Sequence, residues 1–228
     1  MKINPFEVVE LFEKALAEYT GAPYVVTTTS CTEAIFLCMD SAYYSFDFKN
    51  NKVSSAHCGG GHWSKGQGME KRYAATIPSQ TYVSVPQSII QAGFYPEFEE
   101  VEWEGIYEIK PYKVYDAAKR FRKNMYIPGT KMCLSFHHKK HLKIGKGGAI
   151  LLDDKDEAEV LKRGRYEGRE QRVPYHDDPI NFMGYNMYMT PETAARGLTL
   201  LWDHPDDAAD LIESPPYRDL RTFGFLKE

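Results

Sequence analysis

Apolar residues recur at helical spacing from the start of the chain. In "NPFEVVELFEKALAEYTGA", Phe6, Val9, Phe12, Leu16 and Tyr19 share one face, with Pro5 early and Gly21 just past the end. "PYVVTT" reads as a short buried strand. "SCTEAIFLCMDSAYY" opens with Ser30 and Glu33 in capping-box spacing and predicts a second helix. Residues 49–72, rich in Gly, Ser, Asn and Lys, predict a loop or mobile excursion. "YAATIP" predicts a strand and "TYVSVPQSIIQAG" a helix interrupted near Pro86. "YPEFEEVEW" and "YKVYDAA" predict strands, the second ending at Asp116. "MCLSF" and "GGAILLDD" are two more, separated by the lysine- and histidine-rich "HHKKHLKIGK". "KDEAEVLKRGRYEG" predicts a helix, "QRVPYHDDPINFMGYN" an irregular segment, and "TPETAARGLTLLWD" a helix begun by Thr190 and Pro191. Strands alternating with helices indicate a layered α/β architecture, compact over 1–204 and followed by a polar, proline-punctuated tail over 205–228.

Composition narrows the class of molecule. A length of 228 residues suffices for one sizeable core, and a net charge of −4 exerts no global pull on nucleic acid or an anionic membrane. No apolar run approaches bilayer length, and glutamates stand where a signal peptide needs its apolar block. Cys31, Cys38, Cys58 and Cys133 show no CxxC spacing, which suits a reducing compartment and predicts a cytoplasmic protein.

The candidate chemistry has plain structural readings beside it. The lysines around Lys140 form a solvated face unless one enters a site, since lysine is usually exposed. Asp116 ends an apolar strand, where an unpaired carboxylate is costly to bury, yet a capping aspartate fits there too. Ser30 is an ordinary N-cap or the edge of an anion site at a helix N-terminus. Tyr82 is core or a stacking surface. His137, His138 and His141 lie between strands, and "HCGGGHW" at 57–63 adds ligands only in a loop, so no metal site is expected. The run from Lys119 to Lys146 holds nine Lys or Arg and no acid, which allows phosphate contacts with nucleic acid, although no recognition motif accompanies it.

Four motifs in order resemble the DegT/DnrJ/EryC1/StrS sugar aminotransferases, fold type I pyridoxal-phosphate enzymes. They are "FEKALAEYTGAPYVVTTTSCTEAIFL", "IPSQTYVSVPQSIIQAGFYPEFEEV", "VYDAAKRF" with "CLSFHHKKHLKIGKGGAILLDD", and "GYNMYMTPETAARGL". Together they reach from about Phe12 to Leu201. The resemblance implies a three-layer large domain with a mostly parallel central sheet, here reduced, and a small C-terminal domain largely missing. It implies Lys140 as the Schiff-base lysine for pyridoxal 5'-phosphate and Asp116 as partner of the pyridine nitrogen. Ser30, Cys31 and Thr32 would cradle the phosphate with Ser135, and Tyr82 would stack on the ring. Lys119 would lie near the phenolic oxygen, in place of the family's usual Gln or His. Asn186 would reach a neighbouring subunit's phosphate, which implies a homodimer. The implied reaction moves an amino group from a glutamate-like donor to a keto-sugar nucleotide. Cys31 replaces a glycine and Tyr188 an arginine, so a degenerate relative that binds cofactor or a nucleotide sugar without turnover stays open, as does a nucleic-acid-associated protein using residues 119–146.

Overall fold

The structure, a computed structural model, describes residues 4–47, 52–55, 74–180 and 183–226. Helix α1 (Glu7–Thr20) buries Val9, Phe12 and Leu16 and ends where Gly21, at φ 79°, donates its N–H to the Ala17 carbonyl. Strand β1 (Tyr24–Thr28) leads into α2 (Cys31–Asp40), whose N-cap Ser30 accepts from the Glu33 N–H. The helix expected to run on to residue 44 stops at Asp40. A short 3-10 turn then leads to β2 (Tyr44–Asp47), paired antiparallel with β3 (Lys52–Ser55). β3 lies inside the predicted 49–72 loop, and the rest of that segment, including His57, Cys58 and His62, lies outside the described residues.

Strand β4 (Ala74–Pro78) precedes α3 (Ser84–Gln91), which Pro86 does not interrupt. Pro86 occupies the first helical turn, where an N–H has no intrahelical acceptor to lose. There follow β5 (Tyr95–Glu99), β6 (Tyr107–Ile109), β7 (Val114–Asp116), β8 (Lys131–Ser135), β9 (Gly148–Leu152), α4 (Lys155–Gly164) and α5 (Pro191–Trp202). No helix among the described residues is long and apolar enough to cross a membrane.

Five strands form one sheet in the order β1–β9–β8–β7–β6. The β4–β5 pair joins it where Thr76 and Lys110 exchange two backbone hydrogen bonds of 3.0 Å. The layered α/β class is as expected, but parallel pairing does not predominate. β9 runs antiparallel to both β1 and β8, and β6 antiparallel to β7, leaving β7–β8 and β4–β5 as the parallel pairs among the described strands. For β6 and β7 the reason is connection length. Residues 110–113 between β6 and β7 close a hairpin, whereas a parallel neighbour needs a crossover of about a dozen residues.

Alternate residues of the sheet face two cores. Val26, Cys133, Ile150 and Leu152 pack with α2, α3 and α4, while Val25, Met132, Leu134 and Leu151 pack with α1 and α5. All five residues of β9 are buried, which is why it reads as an unbroken apolar run. Beyond α5 the chain crosses back over the domain, its regular structure among the described residues being two short 3-10 turns at Leu220–Thr222 and Gly224–Leu226. The Tyr19 hydroxyl donates to the Pro205 carbonyl, the Leu211 N–H to Lys119, and the Leu220 N–H to Ser79. The C-terminal segment thereby spans from beyond the end of β7 to the end of β4.

Candidate active site

The pairing directions give β1, β4, β7 and β8 a common polarity, so their carboxyl ends lie along one edge of the sheet. Ser30 follows β1, Tyr82 follows β4, Asp116 ends β7, Ser135 ends β8, and Lys140 lies in the loop after it. In an open α/β sheet this edge is where ligands bind. Gly148 opens β9 at the same edge, opposite both Ser135 and Thr28. A Cβ there would lie 2.4 Å from the Ser30 carbonyl carbon and 2.5 Å from the Cys31 nitrogen, so glycine is what lets the α2 N-terminus rest on the sheet.

Asp116 is buried and forms no salt bridge among the described residues. One carboxylate oxygen accepts from the Ala118 N–H at 2.9 Å and the other from the Tyr107 hydroxyl at 2.8 Å. The Tyr107 oxygen also lies 2.8 Å from the Thr81 hydroxyl. Burial raises the Asp116 pKa, opposed by these two hydrogen bonds and by the charges of Lys140 and Lys119. Burial likewise pushes the Tyr107 phenol up, keeping its proton available to Asp116.

The loop holding Lys140 is pinned at both sides. The His138 N–H donates to Gly145, the Gly145 N–H to Phe136 and the Lys140 N–H to His137, while Leu142 and Ile144 are buried beneath. Lys139, Lys143 and Lys146 are exposed, as a solvated face requires, whereas Lys140 is half-buried. The histidines part company: the His137 and His138 rings lie 3.9 Å apart, tilted by 41°, and His141 contacts the Ala209 carbonyl at 2.8 Å. Among the described residues no group of three His, Cys, Asp or Glu is gathered as a metal would need.

At the α2 N-terminus Ser30 is the N-cap, its hydroxyl accepting from the Glu33 N–H at 3.2 Å. The Thr32 hydroxyl lies 2.8 Å from that of Ser84. Cys31 turns its thiol into the core, with Sγ 3.5 Å from the Cys133 carbonyl, and burial pushes that thiol's pKa up. Only its backbone can face a ligand.

Lys119 stands in surroundings that its sequence neighbours do not announce. Its amine lies 4.8 Å from the Trp103 ring centre and 4.7 Å from that of Tyr217, and the two rings are within 10° of parallel. Glu213 places a carboxylate oxygen 3.8 Å away. Burial lowers the Lys119 pKa most, Glu213 raises it, Lys140 lowers it and Asp116 raises it. Tyr82 is 56% exposed and meets Tyr217 edge-on at 6.1 Å. Trp103, Tyr107, Glu213 and Tyr217 went unread in the sequence. Trp103 and Tyr107 lie within the short span between β5 and β7, which is a usable signal, whereas nothing around Glu213 or Tyr217 marks them.

Asn186 precedes Met187, whose carbonyl accepts from the Thr29 N–H at 3.0 Å beside Ser30. It is exposed and donates to Glu167 at 2.7 Å, while Tyr188 packs edge-on against Phe6 and Tyr166. The 119–146 cations also fail to make one face: Lys119 is buried, Arg120 pairs with Asp210, Lys123 with Asp206 and Lys131 with Glu157. A cavity of about 690 Å³ opens at the other end of β1, among Glu10, Glu13, Arg163, Arg165 and Arg172. None of the candidate residues lines it, and its charges largely pair with one another.

A sequence model of the DegT/DnrJ/EryC1/StrS aminotransferase family matches residues 3–53 and 128–205. The match takes in Ser30, Cys31, Thr32, Ser135, Lys140 and Asn186 and leaves out Tyr82, Asp116 and Lys119. No curated protein matches the sequence. Among solved structures, Helicobacter pylori PseC, an aminotransferase involved in the biosynthesis of pseudoaminic acid, superposes with a TM-score of 0.63 at 16% identity, covering 90% of this chain and 64% of that one. The sugar aminotransferase CalS13 from Micromonospora echinospora gives 0.65 at 17% identity, over 86% of this chain and 60% of that one. A DegT DnrJ EryC1 StrS aminotransferase from Brucella abortus gives 0.63 at 19%, over 88% and 60%. The chain thus spans under two thirds of the length of these structures.

Proposed function

The chain belongs to the DegT/DnrJ/EryC1/StrS aminotransferase family, and from that premise we propose that it is a pyridoxal-phosphate-dependent aminotransferase moving an amino group from a glutamate-like donor to a keto-sugar nucleotide. The observation that carries this reading is the buried carboxylate of Asp116 at the strand edge, within electrostatic reach of Lys140. The residue set fits the cofactor: an amine, a buried carboxylate with accepting capacity, and a helix N-terminus held against Gly148. Pyridoxal phosphate, when bound, supplies a carbonyl for an amine and a ring that takes up the electrons of a Cα–H bond.

Lys140 is the amine that would hold the cofactor and, once displaced by the donor, carry a proton to and from the donor's Cα. Asp116, steadied by Tyr107 and Ala118, would keep a proton on a ring nitrogen by placing a negative charge against it. The α2 N-terminus, with Ser30, Thr32 and Ser135, would hold the phosphate through backbone N–H groups and hydroxyls. Tyr82 offers an exposed ring face for stacking. Asn186, exposed one residue from the Met187–Thr29 backbone contact, would serve the neighbouring site of a homodimer.

The test is a visible spectrum of the protein mixed with pyridoxal phosphate, followed by borohydride reduction and peptide mapping. We expect a shifted absorbance band with the reduced adduct on Lys140, and Lys140→Ala abolishing both. A protein with no band and an unmodified Lys140 would refute the reading. A second reading, a binder without turnover, draws on Cys31 and on the C-terminal segment lying across the edge. It predicts the band without exchange of the donor's Cα proton.

A further inference from the structure

The cavity at the far end of β1 lies between α1, the start of β1, and α4 with the segment that follows it. Its volume of about 690 Å³ is in the range that small-molecule sites occupy. Six cations line it, and five have an acidic partner. Arg165 meets Glu13, Arg172 meets Glu10, Lys162 meets Glu159, Arg163 lies 3.7 Å from Glu170, and Arg169 lies 3.5 Å from Asp178. Lys14 is the sixth. It stands one turn after Glu10 on α1, the spacing at which a helix pairs such charges. Glu10 is instead engaged by Arg172, and Lys14 has no acidic partner among the described residues. Donors are in excess as well. Arg165, 1% exposed, commits one terminal nitrogen to Glu13 and Thr27. Its Nε and the side-chain nitrogen of Gln171 are buried with no acceptor among the described residues. Buried donors are seldom left so in native proteins. The rest of the lining, Ala17, Pro23, Tyr24 and Val25, is less polar and suits an organic body.

We propose that this cavity is a second ligand site, separate from the strand edge, and that it takes a small organic phosphate. Its wall is short of negative charge and of hydrogen-bond acceptors. A phosphate group brings both, and its oxygens match the fork of a guanidinium. The phosphate belongs at the side of Lys14 and Arg172, the first exposed and the second with its side chain 70% exposed. There Arg172 exchanges Glu10 for the ligand, and the organic part covers Pro23 and Tyr24. The proposal does not depend on the aminotransferase reading, because Tyr24 opens β1 whereas Ser30 follows the end of that strand.

Isothermal titration calorimetry on the full chain without cofactor, with phenyl phosphate and inorganic phosphate as probes, decides it. Phenyl phosphate should bind about tenfold more tightly than inorganic phosphate, because its ring covers apolar lining. Lys14→Ala and Arg172→Ala should each weaken it about tenfold. Both side chains are exposed, so neither change threatens the fold. Glu10→Gln should act in the opposite sense and tighten binding severalfold by releasing Arg172, a gain that a merely structural role of Glu10 would not give. Ser135→Ala, which alters the phosphate cradle at the strand edge, should leave the affinity unchanged. No binding, equal affinity for the two probes, or indifference to Lys14 and Arg172 overturns the proposal. Weakening by Ser135→Ala overturns it too, by placing the phosphate at the strand edge. The visible spectrum with pyridoxal phosphate is a separate readout: a band without phenyl phosphate binding sinks this site alone, and binding without a band sinks the aminotransferase reading alone.

Discussion

Asp40, the last residue of α2, shows how burial of one group sets a pH dependence. Burial pushes its carboxyl up to about 6, against a partial opposing hydrogen bond from Tyr185. A carboxyl whose pKa is higher folded than unfolded binds its proton more tightly in the native state. Its effect is therefore absent below about pH 4, grows as pH rises through 4 to 6, and above that is a constant cost of roughly 2–3 kcal/mol. Asp40→Asn should raise stability by about that amount at pH 8 and by almost nothing at pH 4, read by urea unfolding at the two pH values. Equal gains at both would mean the charge on Asp40 is not the cause. Glu13 is the contrasting case, since Arg165, 1% exposed, answers its charge and both bond to Thr27. Neither member of that pair was legible as such, because Glu13 and Arg165 stand 152 residues apart and each reads locally as a helix surface charge.

At the scale of elements, the sequence announced whatever packs by period or by unbroken apolarity. α1, α4 and α5 carry amphipathic stripes, and β1, β8 and β9 are runs of buried residues. β6 escaped because three residues bounded by Ile106 and Lys110 hold no period, and its direction is dictated by the four-residue return to β7. Ser30, Asp116, Ser135 and Lys140 each end or follow a strand that could be recognised, but their meeting at one edge needed the pairing directions. Packing between elements was less visible. Gly197 in α5 looks like a weak point in a helix, but a Cβ there would fall 2.5 Å from the Phe12 ring, a fully buried side chain of α1. Alanine would gain about 1 kcal/mol of helix propensity and meet an overpacking cost of about 1–3 kcal/mol. Gly197→Ala should accordingly lower the melting temperature, and adding Phe12→Leu should recover most of the loss. A more stable single variant would mean that Phe12 has room to move.

Over the whole molecule, the segment after α5 is where sequence reasoning had least to use, and it supplies Glu213 and Tyr217 to the site. It lacks periodicity because it is held by single points and not by a face: Asp206 to Lys123, Asp210 to Arg120, Leu211 to Lys119, Leu220 to Ser79. The exposed Lys123–Asp206 pair contributes little by itself. Asp210 is different, with its side chain 5% exposed and its carboxylate engaging Arg120, which lowers its pKa. It lies directly over Gly105, whose φ of +69° is a conformation other residues rarely adopt, and a Cβ there would fall 2.0 Å from an Asp210 oxygen and 2.7 Å from the Arg120 guanidinium. Gly105→Ala should therefore release this anchor while sparing the sheet, whose register involves neither residue. In hydrogen exchange, the Leu211 N–H, bonded to the Lys119 carbonyl at 2.9 Å, should lose protection while Met132 and Ile150 in β8 and β9 keep theirs. Protection unchanged at Leu211 would mean that the segment is held chiefly at its Ser79 end; protection lost throughout the sheet would mean that it stabilises the domain as a whole rather than walling one edge of it.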